Sequence, residues 1–149
     1  RIDRHTELPA GALRVAPLET SANGIIVVPA ARFGTAQAKD VRLVIRDGVV
    51  RESSASANAD AVKAFLASEP GASHFREFVL GFNPKLVIPA GERALPYYGY
   101  GAGVVRMSLG DNSELGGTVR GGGVRWFFFA DATVTVGGTT LVERGRLLQ

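Results

Sequence analysis

The sequence predicts an α+β fold, predominantly antiparallel sheet with one clear helix, and three observations carry that prediction. Short apolar runs are broken throughout by Gly, Pro, Asn and Asp. Two of the breaks, Asp47-Gly48 and Gly137-Gly138, are dipeptides suited to tight hairpin turns. From Asn58 to Ser68 the apolar spacing changes from the period of a strand to that of a helix.

Taken in order, Gly24 to Val28 (GIIVV) reads as a strand ended by Pro29. Val41 to Ile45 (VRLVI) alternates up to Asp47-Gly48, after which Val49 to Glu52 can return as its hairpin partner. In NADAVKAFLAS the residues Ala61, Val62, Phe65 and Leu66 share one helical face, Asn58 is placed to cap, and Pro70-Gly71 stops the helix. Phe75 to Leu80 and Val104 to Leu109 read as strands, and Trp126 to Val136 as an alternating strand that turns at Gly137-Gly138 into Thr139 to Glu143. Gly116 to Gly123 (GGTVRGGG) has neither P-loop nor GxGxxG spacing and no helical pattern after it, so it reads as a flexible loop. With 149 residues, 46% of them hydrophobic, the expectation is one globular domain over 1–149.

Composition excludes several functions. The charge of +3 comes from 17 basic and 14 acidic residues spread along the chain, with lysine only at positions 39, 63 and 85, so no nucleic-acid footprint is expected. Cysteine is absent, which removes disulfides, thiolate zinc sites and a thiol nucleophile, and makes the cytoplasm the expected compartment. No segment approaches the roughly 18 to 20 apolar residues of a spanning helix, so no membrane association is expected. The only methionine is Met107, which suggests a segment of a longer protein.

Few residues offer chemistry. His5 and His74 have no second histidine three or four positions away, and no G-x-S-x-G elbow presents a serine. Glu77 stands among apolar residues, with inward and outward orientations equally open; inward it needs a partner. Arg106 and Arg125 are each embedded in an apolar run. They either pair structurally with Glu77 or Asp131, point to water, or converge as guanidinium forks on an anionic ligand. Tyr97, Tyr98 and Tyr100, spaced by glycine, are candidates to line a cavity or pack on the core.

Four stretches in sequence, LPAGALRVAPLETSANGIIVV, GASHFREFVLGFNP, GAGVVRMSLGDN and RWFFFADATVTVGG, resemble the C-terminal part of the aminopeptidase T family of leucyl aminopeptidase-like metallopeptidases. The wider superfamily includes the 2,5-dihydroxypyridine dioxygenases. The resemblance implies the C-terminal domain of such a protein, an N-terminal domain or companion chain beyond these residues, and a homodimer. It also implies a metal site, but the ligands are mostly replaced. Ala12 stands at a family glutamate, Arg106 at its first histidine, Ser113 at its tyrosine, and Arg125 and Phe127 at an H-x-D pair; only Glu77 matches. Arginine brings no lone pair to a metal, so neither a metal nor another cofactor is expected here.

The resulting expectation is a divergent, metal-independent relative in which two fixed cations replace the metal and a small anionic or amide-containing metabolite occupies the cavity. Glu77 would act as general acid or base, Arg106 and Arg125 would orient the anion, and Tyr98 or Tyr100 would donate a proton. Glu77→Gln would then stop turnover with the fold intact. The alternatives are a non-catalytic pseudoenzyme or dimerisation subunit, and a metallo-aminopeptidase or iron dioxygenase completed by a missing N-terminal region.

Overall fold

The computed structural model describes residues 10–86 and 101–148. Its elements are β1 (Ala12–Val15), β2 (Gly24–Phe33), β3 (Ala36–Arg46), β4 (Val49–Ser54), α1 (Ala59–Leu66), β5 (Phe75–Gly81), β6 (Val105–Leu109), a 3-10 turn at Ser113–Leu115, β7 (Arg125–Phe129), β8 (Val134–Val136), β9 (Thr139–Glu143) and β10 (Arg146–Leu147). The strand orders are β1-β5-β6-β7, β2-β3-β4 and β10-β9-β8. The fold is α+β and mostly antiparallel, with one α-helix among the described residues, as the punctuation predicts.

The described residues fall into two compact units. One comprises those of Arg1–Val15, Phe78–Met107 and Phe128–Gln149; the other comprises Ala16–Glu77 and Ser108–Phe127. In the first unit, Leu80, Val105 and Val142 are buried together, with Phe78, Met107, Phe129, Val134 and Leu147 packed around them. β8, β9 and β10 close by two tight turns. Gly137 and Gly138 have φ of 56° and 84°, and Arg144 and Gly145 have φ of 47° and 75°. Two consecutive positive φ values give a backbone twist that matches a two-residue hairpin, which is why glycine recurs there.

The second unit is built on the β2-β3-β4 meander. Asp47 and Gly48 sit at φ of 49° and 76°, so the predicted hairpin turn forms. Strand β2 is longer than its sequence suggests, because Pro29 does not end it. Val28 pairs with Val41 and Ala30 with Lys39, leaving Pro29 between them. As an edge strand, β2 loses no inner ladder bond to the missing proline N–H. The inward positions Ile26, Val28, Ala31 and Phe33 of β2 join Val41, Leu43 and Ile45 of β3 in the core. Helix α1 covers this sheet with Val62, and its Phe65 ring meets that of Phe33 at 5.5 Å and 59°.

Two expectations need correction. Asn58 occupies the N-cap position but makes no side-chain cap; it takes the left-handed conformation (φ 56°) and its amide donates to the Gln37 carbonyl at 2.8 Å. Glycine accepts that backbone at no steric cost while a β-branched residue does not. Asn58→Val is therefore expected to cost about 1–2 kcal/mol and Asn58→Gly well under that, read from thermal unfolding. The run from Trp126 to Val136 is two strands, not one, because Ala130 to Thr133 leave the ladder between β7 and β8. Gly145, which has no room for a side chain, is held against that break: a Cβ there would lie 1.8 Å from the Ala130 carbonyl oxygen. No described helix is long and apolar enough to cross a membrane.

Candidate functional site

The second unit carries most of the singled-out chemistry. Glu77 on β5 points inward and is fully buried. Its partner is its own neighbour, Arg76, whose Nη1 lies 2.8 Å from Glu77 Oε2 while Arg76 is itself only 1% exposed. Neighbours on a strand begin on opposite faces, so alternation did not point to this pair. The rest of the Arg76 guanidinium is also engaged: Nε donates to the Asp111 carbonyl at 2.7 Å, and Nη2 pairs with the Glu114 carboxylate. One buried arginine thus ties β5 to the segment that follows β6. A carboxylate so enclosed is placed to neutralise Arg76.

Arg125 has the opposite character. It is half-buried on β7, with its guanidinium carbon 5.2 Å from the centre of the Phe33 ring and 5.9 Å from that of Phe127. Positions 125 and 127 share a strand face, so arginine and ring stack along it. Its Nε has no hydrogen-bond partner among the described residues, and no described carboxylate pairs with it. Burial, and secondarily the nearby Arg32 guanidinium, pull its pKa below the ordinary arginine value. Among the described residues no carboxylate pairs with either of these two cations.

The remaining predicted residues are placed as follows. Arg106 belongs to the first unit, on β6, and is 4% exposed. Ala12 lies on β1 and Ser113 in the 3-10 turn; Phe127 is buried beneath Arg125. Asp131 is exposed. His74 lies just before β5, and its Nδ1 is buried with no hydrogen-bond partner among the described residues. Tyr97, Tyr98, Tyr100 and His5 lie outside the described residues.

The glycine-rich segment is a loop, and an acidic lacework holds it. Glu19 accepts from the Thr118 N–H and hydroxyl, both at 2.5 Å, and from the Asn112 amide at 2.9 Å. Asp111 accepts from the Gly121 N–H at 2.9 Å and Glu69 from the Gly122 N–H at 2.6 Å. Glycine is required where the chains touch: a Cβ on Gly71 would meet the Gly121 carbonyl oxygen at 1.9 Å. These contacts span about a hundred positions in sequence for Glu19, so no local motif announces them.

The Thr118 hydroxyl and N–H, followed by Asn112, lower the Glu19 pKa from 4.5 to about 2. A depressed folded-state pKa gives stability that is present above 4.5 and lost as pH falls from 4.5 towards 2. The stability gap between the native chain and Glu19→Gln is therefore expected to narrow across that window, as followed by urea unfolding at stepped pH. Asp111 is likewise held below the usual carboxylate range, chiefly by the Ser113 side chain and N–H.

A metal fits these residues poorly. Among the described residues no three His, Asp or Glu side chains come together. Of the residues singled out, Ala12, Arg106, Arg125 and Phe127 offer no lone pair to a metal, while Glu77 pairs with Arg76.

No family model matches the sequence, and no curated protein matches it. Among solved structures, 2,5-dihydroxypyridine dioxygenase from Pseudomonas putida KT2440 superposes with a TM-score of 0.71 at 19% identity over 94% of this chain. The chain spans 44% of that protein's length. The likeness is one of fold, and no match to the aminopeptidase T family accompanies it.

Proposed function

We propose that this chain is part of a larger protein on the dioxygenase fold and that it binds a small carboxylate-bearing anion through Arg125. The observation that carries the reading is the half-buried Arg125 guanidinium, stacked on Phe33 and Phe127, with no carboxylate partner among the described residues. Such an arginine offers two parallel N–H donors to a carboxylate. The positive field of Arg32 favours the same charge. Glu77 is a structural counter-ion in this reading, in place of the acid–base role expected from the sequence.

Calorimetric titration with benzoate and with 2,5-dihydroxypyridine, the compound in the name of the solved relative, tests the proposal. Arg125→Gln is expected to weaken benzoate binding by about 10- to 100-fold, since a charge-assisted bidentate contact contributes about 1.5–3 kcal/mol. Equal affinity in the two proteins would remove Arg125 from recognition.

A second reading, an iron dioxygenase or metallo-aminopeptidase whose ligands come from a preceding domain or a companion chain, is favoured by one observation: more than half of the superposed dioxygenase has no counterpart here. Stoichiometric metal in a longer form of the protein would favour it, and a metal-free active preparation would exclude it.

A further inference from the structure

An open pocket of about 500 Å³ lies within the second unit, away from the aromatic pair under Arg125, and no role described so far uses it. Its wall includes Arg51, His74, Thr118 and Arg120, with Glu19 and Asp47 also lining it. The volume is that of a small-metabolite site.

Three features give it a preference. Arg120 is held in place, because its Nη1 donates to the Gly117 carbonyl at 2.7 Å and to the Val119 carbonyl at 3.2 Å, and its charge also acts on the Asp111 carboxylate. Arg51 makes no ion pair among the described residues. His74 lines the wall beside them and adds a further hydrogen-bonding side chain. Against these stand two carboxylates. Glu19 is saturated by donors from Thr118, Asn112 and Val119, so its charge is largely compensated. Asp47 has its side chain exposed and accepts from a hydroxyl or ammonium.

We infer that this pocket binds a small metabolite bearing a carboxylate or phosphate group and, at its other end, a hydroxyl or ammonium. The oxyanion lies against Arg51 and Arg120, and the hydrogen-bonding end against Asp47. Carboxylate and phosphate share this recognition by guanidinium, and only titration separates them.

The test is a titration of the ¹⁵N-labelled chain with malate and, separately, with glycerol phosphate, following backbone amide shifts. Saturable shifts centred on Gly71, Thr118 and Val119 are expected with at least one of the two, and the tighter one identifies the acid group. Arg51→Gln/Arg120→Gln is expected to weaken that binding by at least about tenfold. Arg46→Gln, which removes an exposed arginine paired with Glu52 at 3.1 Å, is expected to leave it unchanged. The amide spectrum of each variant reports its fold in the same experiment. Absence of saturation with both probes, or equal weakening by Arg46→Gln, would overturn the assignment.

Discussion

Glu77→Gln lowers the unfolding free energy by about 3 kcal/mol or more, because it leaves the Arg76 guanidinium buried with half of its compensation removed. Arg76 and Glu77 are 1% and 0% exposed, so water cannot enter to replace the lost carboxylate. The remaining partner, Glu114, is 62% exposed and lies at the edge of the cluster, where its charge is screened. Replacing both buried residues together with apolar groups of matching size (Arg76→Met/Glu77→Leu) costs less than either single change, since neither member of the pair is left buried without the other. Urea unfolding of the two single variants and the double variant checks this: single variants within about 0.5 kcal/mol of the parent would show that the pair is not a structural centre. This differs from the sequence-based expectation for Glu77→Gln, which placed the loss in turnover and left the fold intact.

Gly71→Ala is the second large effect. Its added Cβ would lie 1.9 Å from the Gly121 carbonyl oxygen and 2.9 Å from that of Arg120, both backbone atoms that cannot rotate aside. The Pro70–Gly71 turn and the glycine-rich loop must separate, which strains the Glu69 contact to the Gly122 N–H. A cost of about 2–4 kcal/mol is expected, in the range of overpacked core positions. Gly71 also lines the pocket, so the same variant is expected to lose the malate or glycerol phosphate shifts. Gly137→Ala, whose Cβ meets nothing within 4 Å, bears only the cost of its φ of 56° and serves as the comparison. Equal midpoints for the two variants in thermal unfolding would contradict the close approach.

Turn chemistry made much of this fold legible. Asp47-Gly48 and Gly137-Gly138 adopt the positive φ values that their residue types favour, and the apolar spacing around Val62 placed the helix. Strand ends were harder. Pro29 reads as a stop, yet an edge strand tolerates it, and position within a sheet is not local information. The break at Ala130–Thr133 is hidden because Trp126 to Val136 keeps alternating through it.

The site was legible at Arg125 and Glu77, whose placement in apolar runs raised the question of a partner. Arg76 escaped because an arginine beside a glutamate on a strand reads as its outward neighbour. Glu19 escaped because its partners lie about a hundred positions away, in a loop whose glycines suggested freedom and whose backbone is instead tied to three carboxylates.

Titration of benzoate into the chelator-treated, metal-analysed protein tests recognition by a fixed guanidinium in place of a metal most directly. Binding that survives removal of metal and is lost in Arg125→Gln is the predicted result. Binding that disappears with the metal, or persists unchanged without the Arg125 guanidinium, would contradict it.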